Sequence, residues 1–443
     1  MALSNPPNQA WLTEALQVTE LMWEDAAQPT YSLVNGDVYL ASGHRGLRIL
    51  DDIAMAVSTV EGKQIAVIIS DGSRRDAMDL TFATLGSPSE DDRAAVDKFM
   101  ALARSQPTSE ALVLATIQGY ASARIARLID HAHKRLSSFD VMATDKTARF
   151  DWSCPPKPGE EPTGWKEPKE EFPRCFRGIV RNYGTQSSRD YMRMMLEDIK
   201  SEMAALGPLT PDRIANTSTD SLLSICFLAN ALVQSDYLRR RMMSGSATQT
   251  VGRYAILRYE LARIARYHNA LIRIVRWARV MEGRITYRWL SDGEGCKASA
   301  VQLRDSPFYV LQENLYRKSE DFKPEIEAVI RPWETCVLTF VHPELRLIQT
   351  AGDKALQILG TSESVCHCCR LWIEAHNRSS STPWIFTEGR DHADKTWKYP
   401  DESPPEQEIV EAVKERKWRV FTVHNGPYSC AGTFHFAPLS LLF

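Results

Sequence analysis

No apolar run in this 443-residue chain approaches the roughly 20 residues that a membrane-spanning helix needs, so no membrane span is expected. Cysteine is sparse: nine residues, an odd number at irregular spacing, which argues against a disulfide-stapled secreted domain. Met1 to Trp23 has no basic start leading into an apolar stretch, so no signal peptide is expected. The expected location is intracellular, cytoplasmic or nuclear. A strong excess of one charge is lacking too. A net charge of -3 gives no global pull toward nucleic acid, and any such binding must come from a local patch. There is no internal repeat at a fixed period, no Gly-rich phosphate loop and no Gly-x-Ser-x-Gly elbow. A nucleotide-hydrolysing or serine-hydrolase reading therefore has no support. Hydrophobic residues at 44% and charged residues at 25% are ordinary globular proportions, which excludes a fibrous or disordered chain.

Apolar periodicity predicts an α+β protein: a mostly helical N-terminal region followed by a C-terminal α/β domain. Residues 1–153 read as mainly helical, with helices near 9–24 and 109–136. One Ile/Val-rich run, Gln64–Ser70, reads as a strand. Residues 154–174 are rich in Pro, Lys and Glu and read as a linker or exposed loop. Helices are expected over 186–206, 218–243 and 247–282. From residue 284 to 443 β-branched and aromatic residues become frequent, and a domain boundary is expected near 283. A helix over about 406–417 and a last strand over Trp418–Val423 close the pattern.

The chemistry-bearing residues lie between Thr335 and Arg370. Cys336–Val341 has strand composition, then His342-Pro343-Glu344 opens an apolar pattern of helical spacing. Proline suits the first helical turn, where its missing N–H would be unpaired anyway. A second strand, Ala355–Leu359, is followed by a turn at Gly360-Thr361-Ser362 and a helix from Cys366 to Ala375. Cys366 and Cys369 are three apart, so both thiols share one face of a first helical turn, where the helix dipole favours thiolates. If the two strands were adjacent and parallel, His342 would lie beside both cysteines. One His and two Cys leave one of zinc's four tetrahedral positions open, as in catalytic zinc sites. Glu344 is then the candidate proton carrier. The order His-x-Glu then Cys-x-x-Cys matches the signature of zinc deaminases acting on nucleobases, with Val365 in place of the usual proline. The bland alternative is a structural zinc site closed by His367 or Cys368 as a fourth ligand.

The stretch Val341–Leu345, the turn Ile358–Ser362, Cys366-His367-Cys368-Cys369 and the later Thr387-Glu388-Gly389-Arg390-Asp391-His392 resemble a branch of the zinc-dependent nucleic acid/nucleotide deaminase superfamily. That branch comprises fungal proteins and bacterial toxin-like relatives. The resemblance spans about 340–400. It implies a cytidine-deaminase-like fold, a mixed sheet flanked by helices. It implies Zn2+ held by His342, Cys366 and Cys369, Glu344 as proton shuttle, and His392 as a substrate-binding residue. The implied substrate is a nucleobase in a nucleotide or in single-stranded DNA or RNA, with cytosine the base most often attacked. The helical N-terminal region would then restrict access, guide substrate or bind a protein partner. A catalytically inactive, zinc-stabilised interaction module is the competing reading.

Other residues carry paired readings. Arg258, Arg266, Arg273 and Arg276 fall on one side of the 253–282 helix, opposite Leu257, Leu261, Ile264, Leu271 and Val275. With Arg239, Arg240 and Arg241 they could track phosphates, or they could be a helix face whose arginines pair with acids elsewhere. Trp372 and Trp384 could wall a base pocket or pack a core. His131 and His133 suit a helix C-terminus better than a metal. His376 reads as a surface or packing residue. Cys154, Cys175, Cys226, Cys296 and Cys430 read as small buried hydrophobes.

Overall fold

The computed structural model describes residues 9–26, 45–60, 63–70, 77–137, 188–235, 238, 248–290, 296–307, 331–351, 356–380, 382–387, 392–400 and 408–414. The Pro-rich stretch 154–174, the strand expected over Trp418–Val423, the arginines at 239–241 and Cys154, Cys175 and Cys430 lie outside the described residues. In chain order the elements are α1 (Gln9–Ala26), α2 (Arg45–Val57), β1 (Ile65–Ile69), β2 (Met78–Thr84), α3 (Glu90–Arg104) and α4 (Glu110–Ser137). Then come α5 (Ser188–Ala205), α6 (Pro211–Ala215), α7 (Thr219–Gln234), α8 (Thr248–Met281), β3 (Ile285–Trp289), β4 (Ser299–Gln302) and β5 (Cys336–Thr339). The series ends with α9 (Pro343–Ala351), β6 (Leu356–Thr361), α10 (His367–Ser379) and β7 (Ile385–Phe386). Residues 408–414 are also helical. Mixed helix and strand is the class expected.

The five-stranded sheet runs β3-β2-β1-β6-β7. β1 pairs antiparallel with both β2 and β6, while β3 and β7 add parallel edges. β1 reads Ile-Ala-Val-Ile-Ile and is buried throughout, as a strand covered on both faces must be. Its alternating side chains divide the interior. Ile65, Val67 and Ile69 enter one core with α2, α3, α4, α5, α7 and α8. Ala66 and Ile68 enter another with α1, α9 and α10. The sheet is thus a middle layer, and the period of two along β1 decides which residues face which core. Each fully buried Ile contributes roughly 1.5–3 kcal/mol to that arrangement.

Local signals explain several ends. Ser89 and Asp92 form a capping box at α3, with Asp92 N–H donating to Ser89 Oγ at 3.2 Å and Ser89 N–H to Asp92 Oδ2 at 2.8 Å. α4 bends at Ala121, whose backbone is non-helical.

Two expectations are corrected. Over residues 1–153, β1 falls on the strand expected over Gln64–Ser70, while β2 was not foreseen. The sheet draws strands from both sides of residue 283, so the boundary expected there does not separate a helical region from the sheet. Gly360 and Thr361 form part of β6 rather than a turn. A Cβ at Gly360 would strike Leu50, so the bare backbone lets α2 lie directly on the strand.

Three of the four arginines on one side of α8 bond to groups elsewhere in the chain, while Arg276 is exposed. Arg273 forms a two-bond ion pair with Asp52 of α2, at 2.5 and 2.7 Å. Arg266 donates to the Ser362 carbonyl at 3.2 Å, and Arg258 to the Val233 carbonyl at 3.2 Å. Leu257, Leu261, Ile264, Leu271 and Val275 are buried as expected.

Candidate metal centre

The site is built where two helices begin on the α9/α10 face of the sheet. The chain leaves β5, and Phe340 bridges to Trp397. The His342 carbonyl then accepts from Leu345 N–H (3.1 Å) and Arg346 N–H (3.2 Å), which starts α9 with Pro343 as its first residue. Buried Arg346 anchors this helix by donating to the Thr84 carbonyl at 2.9 Å and the Gly86 carbonyl at 3.0 Å, and it also meets Cys296 Sγ. On the other side, Ser362 is pinned to β1: its Oγ accepts from Ile65 N–H and its N–H donates to the Ile65 carbonyl, both at 2.9 Å. Cys366 follows as the N-cap of α10, with extended backbone, and its Sγ accepts from Cys369 N–H at 3.4 Å.

β5 and β6 are not neighbours in one sheet, contrary to expectation. β5 pairs with β4 in a separate two-stranded antiparallel sheet, while both edges of β6 are taken by β1 and β7. The helix starts nevertheless converge, because α9 and α10 pack into the same core. His342, Cys366 and Cys369 offer ligand atoms within 4.8 Å of one another, all buried, and this group could hold a metal ion. His342 Nδ1 lies 3.6 Å from Cys366 Sγ. Among the described residues, neither His367 nor Cys368 belongs to the group. His367 Nδ1 instead lies 3.4 Å from Arg370 Nη2.

Glu344 is fully buried beside this trio. Its Oε1 accepts from the side-chain amide of Gln64, and its Oε2 has no hydrogen-bond partner. Burial pushes Glu344 up to about 7 against the pull of His342. For His342, burial works downward, but the Cys366 thiolate and Asp394 outweigh it and raise the ring to about 10. Cys366 is drawn well below its ordinary range: burial opposes this, but the hydrogen bond from the Cys369 thiol and the His342 charge prevail. Burial and the neighbouring Cys366 push Cys369 well up. Binding of a cation at this trio would release protons, because its ligands must bind deprotonated.

Arg124 of α4, which packs in the other core, donates to Glu363 Oε1 at 2.7 Å and to the Met55 carbonyl at 2.8 Å. Asp51 of α2 accepts from Thr361 N–H at 2.8 Å and from Thr387 Oγ1. The His392 carbonyl accepts from His367 N–H at 3.0 Å, so the structure puts His392 at the first turn of α10 and not among the trio. Trp372 and Trp384 are buried core residues, and His376 stacks on Trp372 with ring centroids 5.2 Å apart. Two neighbours were not foreseen. Gln64 has no local signature, being one amide ahead of a strand. Asp394 lies two residues before Thr396, a spacing that suits a side-chain turn but says nothing of a metal.

No protein-family model, curated protein or solved structure matches this chain.

Proposed function

We propose that the chain is a zinc-dependent hydrolytic deaminase of a nucleobase, converting cytosine to uracil in a nucleotide or single-stranded nucleic acid. The observation that carries this reading is the fully buried Glu344, with Oε2 unpartnered beside a His/Cys/Cys trio. An ionisable oxygen in a dry interior is costly unless something engages it. A structural metal site gives Glu344 no work.

The donor set fits zinc. One imidazole nitrogen and two sulfurs suit a borderline-soft ion and leave a fourth position open. The 3.6 Å between His342 Nδ1 and Cys366 Sγ is close to the edge of a tetrahedron with bonds of about 2.1 Å to nitrogen and 2.3 Å to sulfur. Zinc, when bound, supplies an activated water nucleophile near neutral pH.

The chain's own residues do the rest. Gln64 fixes Glu344 Oε1, which leaves Oε2 to take the proton of the attacking water. Glu344 delivers that proton to the ring nitrogen N3, then carries the second proton of the water from the new C4 hydroxyl to the amine. The C4–N bond breaks, C4 keeps the water oxygen, and ammonia leaves. A base within a duplex could not reach this buried site, so a nucleotide, a single strand or a flipped base is required. On this reading the mixed sheet with α9 and α10 against it is a cytidine-deaminase-like domain. The helices α3–α8 are then an insertion between β2 and β3.

The test counts zinc per chain and follows ammonia release from cytosine nucleosides, single-stranded DNA and single-stranded RNA. Wild type is expected to hold one zinc and release ammonia. Glu344→Ala is expected to keep the zinc and lose at least about 100-fold in rate. Equal ammonia release by Glu344→Ala would sink the reading.

A further inference from the structure

Asp394 stands across the His342 ring from the thiols. His342 Nδ1 faces Cys366 Sγ, while Nε2, buried and without a hydrogen-bond partner, lies 3.5 Å from Asp394 Oδ2. Asp394 is itself held. Its Oδ1 accepts from Thr396 N–H at 2.9 Å and from Thr396 Oγ1 at 2.6 Å, a side-chain turn that leaves Oδ2 as the oxygen toward the ring. The segment carrying it is tied at both ends of the site. Phe340 N–H donates to the Thr396 carbonyl at 2.7 Å, and Lys398 N–H to the Phe340 carbonyl at 2.8 Å. At its other end, the His392 carbonyl meets the first turn of α10.

We infer that Asp394 is a positioning residue for the metal, holding His342 with its proton on Nε2 and Nδ1 turned toward the two cysteines. The inference rests on the zinc reading above. A ligating imidazole must be neutral, so one ring nitrogen carries the lone pair and the other an N–H. In a dry interior that N–H needs an acceptor. A carboxylate there fixes both the tautomer and the ring orientation, and makes the ligating nitrogen more basic. Asp394 is outside the trio whose ligand atoms gather within 4.8 Å, so it acts through His342 and not as a ligand. Thr396 stands one step further out, aiming the carboxylate.

The experiment uses the full chain as wild type, Asp394→Asn and Thr396→Val, titrated with Zn2+ against a competing chelator. Each zinc-loaded form is also examined by 15N spectroscopy of labelled histidine. Wild type is expected to bind one zinc and to show His342 protonated at Nε2. Asp394→Asn is expected to bind zinc about 10- to 100-fold more weakly, with the His342 Nε2–H resonance moved and the other histidines unmoved. Thr396→Val, which keeps the carboxylate, is expected to lose less affinity and to move the same resonance less. Unchanged affinity in both variants would overturn the inference. So would weaker binding with an unmoved His342 resonance, because a merely structural role predicts that pattern. A wild-type chain that takes up no zinc would instead remove the zinc reading itself, which separates the two failures.

Discussion

Gln64 and Glu344 are 280 positions apart in the chain, yet the amide of one donates to the carboxylate of the other. That contact has a chemical consequence on the proposed reading. A carboxylate that shuttles protons must present one oxygen to the nucleophile and hold the other still. Misplacing a reacting group by about 1 Å can cost 100-fold in rate. Gln64→Leu is therefore expected to lower kcat about 10- to 100-fold, with KM nearly unchanged and one zinc retained. Steady-state kinetics with a zinc count checks it; loss of zinc, or a change confined to KM, would remove Gln64 from this role. His342, Glu344, Cys366 and Cys369 could be picked out by eye: His342 and Glu344 stand two apart across a strand-to-helix junction, and Cys366 and Cys369 stand three apart, where helical spacing gives a shared face. Gln64 and Asp394 could not, because nothing local fixes which residue the fold will set against them.

At the scale of elements, α2 lies very close on β6. Gly360 has no side chain, and Leu50 and Asp51 of α2 occupy the space that a Cβ would take, with Asp51 N only 2.7 Å from that point. Both obstacles involve backbone, so neither can swing aside. Gly360→Ala is expected to destabilise the fold by about 3 kcal/mol through overpacking, read as a lower midpoint in urea unfolding with an unchanged slope. A variant as stable as wild type would mean that α2 can lift from the strand. The same spot explains why a turn was expected over 360–362. Glycine beside Thr and Ser is ordinary turn chemistry, and only the neighbouring helix shows that its use here is close approach. The arginines of α8 teach a similar lesson. Their helical spacing was plain, but that Arg273 answers Asp52 depends on where α2 comes to rest.

At the scale of the molecule, the sheet separates two cores, and Asp51 joins its parts by bonding from α2 to β6 and to Thr387 just past β7. Burial, opposed by the Thr387 hydroxyl and Arg266, lifts Asp51 from 3.8 to about 6. Between those values the folded chain keeps a proton that the unfolded chain has released. Stability from this group is therefore highest at the acid end, falls as pH rises through the window, and levels off above it. The full change is about 3 kcal/mol, at about 1.4 kcal/mol for each pKa unit. Asp51→Asn can keep both hydrogen bonds without the charge. It is expected to unfold at a higher temperature than wild type at about pH 8, with the gap closing toward about pH 4. A gap independent of pH would show that Asp51 does not titrate as the geometry requires.

By itself, the sequence determined the mixed class, most helices, the first central strand and the short-range pairs His342/Glu344 and Cys366/Cys369. These depend on period and on capping, which act over a few residues. Only the tertiary structure decided that β2 joins β3 across about two hundred residues and β1 joins β6 across nearly three hundred, that β5 belongs to another sheet, and that the two helix starts still meet. Strand pairing and second contacts such as Gln64 to Glu344 or Asp394 to His342 are set by which apolar faces must be buried together, and that choice is made by the whole chain at once.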